Sequence, residues 1–231
     1  MRTEAAFPPH RASDRRAVYL ATFVRATATG FSGVLLAIYL AAIGFDASAI
    51  GLLIGAGLAG ATVAVGIVTF TSDRLGHRRW LILVTVLTTI GALGLTAAES
   101  PVALAAAAFV GMVNGMGRDR GAAAVLEQAL LPATTSDSDR TWVFARYNAL
   151  QDAGHALGSA LAGIPSLLES AGMGQASSLQ SAMLLYAALS AAPLIAYIRL
   201  SVAAEAPRLP SSQLVSIWRS EERRVGKECR S

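Results

Sequence analysis

The residues best placed to do chemistry are ionisable groups set inside long apolar runs. Arg25 interrupts a run from about Ala17 to Ile43, and Arg118, Asp119 and Arg120 interrupt one from about Val102 to Leu131. Asp152 and His155 lie in a third, from about Thr141 to Leu168. Charge in a run long enough to cross a membrane is costly, and such groups face a cavity or a partner. An arginine there can hold an anionic group, while an aspartate can pair with it or carry a proton. The expected arrangement puts Arg25 and one of Arg118 or Arg120 against an anionic solute group, with Asp119 or Asp152 as counter-charge or proton carrier. A purely structural salt-bridge cluster fits these residues equally well. His155 titrates near neutrality, which suits proton coupling, but a helix–helix hydrogen bond suits it better. Glu127 and Arg146, near the ends of their runs, are expected to pair structurally.

Depth supports grouping these residues. At 1.5 Å per residue, Arg25 lies about 13 Å into its run and Asp152 about 17 Å, and the 118–120 triplet lies roughly 17–20 Å from the far end of its own. Consecutive helical residues point in different directions, so at most two of the triplet can face one cavity.

The elements that must position them are membrane spans. The 231-residue chain is 54% hydrophobic with a mean hydropathy of +0.51, above the roughly 45–50% apolar content of soluble domains. Its runs match the length of about 20 residues that crosses a bilayer. Six follow in order: 17–43, 49–70, 80–97, 102–131, 141–168 and 177–200. Asp46 and Ser48 can cap the second, Pro101 can start the fourth, and Trp80 suits an interfacial anchor. Gly51, Gly55, Gly57 and Gly60 provide a small-residue face on the second run. Arginines fall in the amino-terminal segment, the turn between runs two and three, the loop before run five and the end. The intervening turns carry Asp46, Glu99 and Glu169 instead. Because basic residues favour the cytoplasmic side, both termini are expected inside, in a multi-pass cell (inner/plasma) membrane protein.

One turn carries more than topology. In Thr69-Phe70-Thr71-Ser72-Asp73-Arg74-Leu75-Gly76-His77-Arg78-Arg79, Asp73, Arg74, Gly76, Arg78 and Arg79 stand at the offsets of the signature between spans two and three of the Major Facilitator Superfamily, which the chain therefore resembles. Thr69 stands where that signature begins with glycine. In the family these residues act as a conformational latch between helical bundles. The segment Gly154-His155-Ala156-Leu157-Gly158-Ser159-Ala160-Leu161-Ala162-Gly163 resembles the family's span-five motif, with Ser159 in place of proline and Ala162 in place of one glycine. A generic tight helix interface accounts for it equally well.

The resemblance implies an all-α fold: a polytopic membrane protein in which six transmembrane helices, residues 17–200, form one bundle, half of a 12-helix transporter. Residues 1–16 form a cytoplasmic tail and 201–218 start a linker. Residues 219–231, which hold Lys227 and Cys229, resemble a translated sequencing adapter and are expected to be non-native, so that the protein continues past Trp218. The implied function is transport of a small solute by alternating access, with the half inactive alone and its partners being lipid, a solute (anionic, if the arginines touch it) and the missing six-helix half. The alternative is a six-span scaffold or sensor that homodimerises. There is no HExxH, P-loop, GxSxG or cysteine cluster, so neither enzyme, cofactor nor metal is expected, and no basic segment is interleaved with aromatics for nucleic acid.

Overall fold

A computed structural model describes residues 9–98, 100–117 and 121–201. Expectations for Glu99, for the triplet Arg118, Asp119 and Arg120, for most of the amino-terminal tail, for the linker after Ser201 and for the tail 219–231 lie outside the described residues.

Every element among the described residues is helical: α1 (Pro9–Ala42), α2 (Ala47–Leu75), α3 (His77–Ala97), α4 (Pro101–Val110), α5 (Ala122–Leu130), α6 (Arg140–Leu161), α7 (Ile164–Ser170), α8 (Gln175–Ala191) and α9 (Pro193–Ile198), with a 3-10 turn at Leu131–Thr134. By length and apolar composition, α1, α2, α3 and the α8–α9 run are each able to cross a membrane. The helix α6 is long enough but carries Arg140, Arg146 and Asp152 on its length.

The start signals behave as their chemistry dictates. The Asp46 carboxylate accepts the Ala49 N–H and the Ser48 hydroxyl, each at 2.8 Å, so it caps α2. These two donors hold the Asp46 carboxyl below the usual carboxylate range. Ser100 Oγ accepts the Ala103 N–H at 3.2 Å, and Pro101 opens α4.

The α2–α3 junction is a single residue. Gly76 adopts φ 86° and ψ 140°, a region that side chains disfavour strongly. Gly76→Ala is expected to cost about 1–3 kcal/mol, read as a lowered midpoint of thermal unfolding in detergent.

The fourth span is expected to be interrupted at the 118–120 triplet; among the described residues the helix already stops at Val110, upstream of it, and α5 begins at Ala122. Gly111, Asn114, Gly115, Gly117 and Gly121 fall in this stretch, and Met112 (φ 51°) and Gly117 (φ 68°) turn the backbone out of the helical region. Freed backbone groups find partners: the Ser32 hydroxyl donates to the Asn114 carbonyl at 3.2 Å, and Asn114 Oδ1 accepts the Met116 N–H at 2.8 Å.

Close helix approach fixes the rest. The helix α1 packs most extensively on α6, and α2 and α3 both pack on α4. A Cβ added at Gly158 would lie 2.0 Å from the Thr27 carbonyl oxygen, and one at Gly154 would lie 2.6 Å from that of Phe23. Gly57 and Gly60 meet the Val113 and Phe109 carbonyls, where a Cβ would approach to 2.1 and 1.9 Å. Gly51 and Gly55 face open space, so only half of the expected glycine face on α2 is used within this chain.

The core separates into two apolar layers. One joins Phe31, Leu35, Leu95, Leu104 and Met183, and the other joins Val18, Leu81, Leu126, Tyr147 and Tyr197. On α1 the stretch between them holds Thr22 and Arg25.

Candidate functional site

Within the second apolar layer lies a polar cluster built around Glu127, on α5. Its side chain is 0% exposed. Oε2 accepts from Thr22 Oγ1 at 2.8 Å, from the Arg25 guanidinium and from Tyr147 Oη at 2.9 Å, and Oε1 accepts from Tyr197 Oη at 2.6 Å. Thr22 and Arg25 are three residues apart and share a face of α1, while Tyr147 comes from α6 and Tyr197 from α9. One carboxylate thus joins four helices. A charge can be buried this deeply only when paired and hydrogen-bonded, and here both conditions are met.

Arg25 has a second exposure. Its side chain is 13% exposed and borders a cavity of about 500 Å³. The polar wall includes Thr29 and Ser32 of α1, Thr88 of α3, Asn114 of the helix break and Tyr186 of α8, and Gly121 and Ala122 at the start of α5 also border it. Leu58, Val65 and Val84 make much of the apolar wall. The break in the fourth run therefore opens onto the same space as Arg25.

Several sequence expectations are redistributed. Arg25 is paired with Glu127, a residue expected instead to pair with Arg146. Arg146 lies over the Trp142 ring, 5.6 Å from its centroid. Asp152 is exposed and stands apart from the stripe that α6 buries against α1, which is Val143, Tyr147, Gly154 and Gly158. It therefore does not join Arg25 in this bundle. His155 is partly buried, and its backbone carbonyl lies where a Cβ on Gly30 would be, 2.3 Å away.

The turn signature divides as well. Asp73, Arg74 and Arg79 are exposed. Arg78 reaches across to α9, donating to the Ile198 carbonyl at 2.6 Å and the Tyr197 carbonyl at 3.4 Å. A cation at helix-terminal carbonyls is favourable, so part of the motif is used inside this bundle. Asp14, 3% exposed, ties the same end together by accepting the Ser201 N–H at 2.9 Å and the Ser201 hydroxyl.

Sequence reasoning missed Glu127 as the partner of Arg25, and missed Thr22, Tyr147 and Tyr197 altogether. A signal existed in the Thr22-to-Arg25 spacing and in Glu127 being a carboxylate inside an apolar run. Tyrosine hydroxyls carry no comparable signal, because tyrosine is common in apolar helices for its ring alone.

A model of the family described as Major Facilitator Superfamily matches residues 18–225. No curated protein matches the chain.

Proposed function

The chain belongs to the Major Facilitator Superfamily, a family of membrane transporters, and from that premise we propose that it forms the amino-terminal six-helix half of a secondary transporter that moves a small solute by alternating access. The six crossings are α1, α2, α3, α4 with α5, α6 with α7, and α8 with α9. Both termini lie on the cytoplasmic side, the orientation that the arginine distribution favours. A second six-helix half completes the path, and the 231-residue chain alone is inactive. Asp73, Arg74, Gly76, Arg78 and Arg79 form the latch of the family signature, with Arg78 anchoring it to α9.

The observation that carries this reading is the cavity of about 500 Å³ at Arg25. It lies beside a discontinuous span, the kind of place where transporters bind solute. Its wall mixes one guanidinium, several hydroxyls and an amide with aliphatic groups, a composition suited to a small polar solute bearing an anionic group. Asp152 and His155 lie off this wall in the present bundle, and their proposed place is the path on the α6 side. With a transported solute identified from a panel, Arg25→Ala in the full-length protein is expected to lower uptake at least about tenfold at equal expression, the scale of one lost charged hydrogen bond. Normal uptake would overturn the assignment of this cavity.

A further inference from the structure

We propose that the solute carries hydrogen-bond donors of its own, hydroxyl or amino groups, and presents them to Thr29, Thr62 and Thr88. These threonines form an acceptor surface on the cavity wall. They favour a small hydroxylated or aminated molecule over one whose polar atoms all accept, such as sulfate or a dicarboxylate. The inference deepens the reading of the cavity as the solute path and rests on it.

The direction of each hydrogen bond is fixed by its partner. Thr29 Oγ1 lies 3.1 Å from the Arg25 carbonyl oxygen, Thr62 Oγ1 lies 2.9 Å from that of Leu58, and Thr88 Oγ1 lies 2.9 Å from that of Val84. Each carbonyl belongs to the preceding turn of the same helix. A carbonyl oxygen has no proton to give, so in all three bonds the hydroxyl donates. A hydroxyl has one proton and two lone pairs. With the proton held by the helix, lone pairs are what remains for a solute. Turning the proton toward the solute would leave two oxygens at the same separation with no hydrogen between them. The Ser32 hydroxyl is committed in the same sense, to the Thr29 carbonyl at 3.1 Å and the Asn114 carbonyl at 3.2 Å.

The three threonines come from α1, α2 and α3 and border one cavity. Thr62 precedes Gly76 by fourteen residues and Thr88 follows it by twelve, so both lie roughly 18–21 Å from the α2–α3 turn. The wall around them is aliphatic, with Leu58, Val65 and Val84. In such surroundings a solute acceptor set against a lone pair gives up its water and gains no hydrogen bond, whereas a solute donor is satisfied. The wall therefore selects for donors.

The test reads this preference without the natural solute. Ala61 borders the cavity beside Thr62, and Ala61→Cys places a reporter there, in the full-length protein with every other cysteine replaced by serine. Its reaction rates in membranes are measured with two matched pairs of methanethiosulfonates. One pair is 2-hydroxyethyl against 2-methoxyethyl, the other 2-aminoethyl against 2-(trimethylammonio)ethyl. Within each pair the charge is the same and one member alone has a donor. Comparing the ratio across variants cancels reagent size and the thiol's own reactivity. Thr62→Val with Thr88→Val keeps the side-chain shape and removes both acceptors. It is expected to lower the donor-to-donorless ratio about fivefold for at least one pair, the scale of one hydrogen bond between neutral groups. The pair that responds tells whether the donor is hydroxyl or amino. Thr62→Ser with Thr88→Ser keeps both acceptors and is expected to hold the ratio within about twofold of the parent. Ratios that valine leaves unmoved in both pairs, equal falls with valine and serine, or a reporter that no reagent reaches would each overturn the proposal. Should the valine pair fail to reach the membrane, Thr88→Val alone is read against Thr88→Ser in the same way. These rates need no solute, so their failure is distinct from a failure of the Arg25→Ala uptake test.

Discussion

Glu127→Leu is expected to lower the stability of the bundle by about 3–5 kcal/mol, the cost of removing one partner of a buried ion pair. The substitution withdraws the carboxylate opposite Arg25 and at the same time the acceptor of the Thr22, Tyr147 and Tyr197 hydroxyls. For a domain of this size a kcal/mol corresponds to roughly 2–4 °C, so the unfolding midpoint should fall on the order of 10 °C. Because an ion pair replaced whole by apolar side chains is often nearly neutral, Arg25→Leu combined with Glu127→Leu should recover most of that loss. Thermal unfolding followed by size-exclusion chromatography in detergent measures both. A double variant as unstable as the single one would show that the hydroxyl shell, and not the charge pair, dominates.

The second large effect comes from the glycines. Gly158→Leu is expected to separate α1 from α6, because even a Cβ there would lie 2.0 Å from the Thr27 carbonyl oxygen and 2.7 Å from the Phe31 nitrogen. Backbone atoms cannot give way as a flexible side chain can, so the cost should reach or exceed the roughly 1–3 kcal/mol of ordinary overpacking. Gly60→Leu should do the same between α2 and α4, where a Cβ would approach the Phe109 carbonyl to 1.9 Å. The control is on α2 itself: Gly51 and Gly66 have nothing within 4 Å. Gly51→Ala and Gly66→Ala should be neutral or stabilise by about 0.5–1 kcal/mol through helix propensity. Equal losses at all four positions, followed by the same thermal measurement, would mean that these close approaches do not hold the bundle together.

Much of this architecture could be read from residue order alone. Long apolar runs, Asp46 and Pro101 as start signals and Gly76 as a reversal all have local causes, and each has its expected local role. The glycines of α6 were also legible as a packing face, since small residues at i and i+4 have few other uses in an apolar helix. The fourth run was harder. Its glycines are individually tolerable in a membrane helix, and it is the glycines and Asn114 gathered just after Val110 that accompany the end of α4. The pairing of Arg25 failed for a different reason. Which charges meet depends on how helices rotate about their axes, and the α1–α6 glycine contact turns Asp152 outward while Tyr147 turns inward. That rotation is set by long-range packing and has no signature in the spacing of charges.

If the cavity at Arg25 is part of a solute path, it must open alternately to the two sides of the membrane. The most direct measurement is side-specific labelling of Thr29→Cys, in the full-length transporter with every other cysteine replaced by serine, by a membrane-impermeant maleimide in sealed vesicles of each orientation. The reagent is expected to reach the introduced thiol from either side while the vesicles stay impermeable to it. Labelling from one side only, or from neither, would contradict alternating access at this cavity.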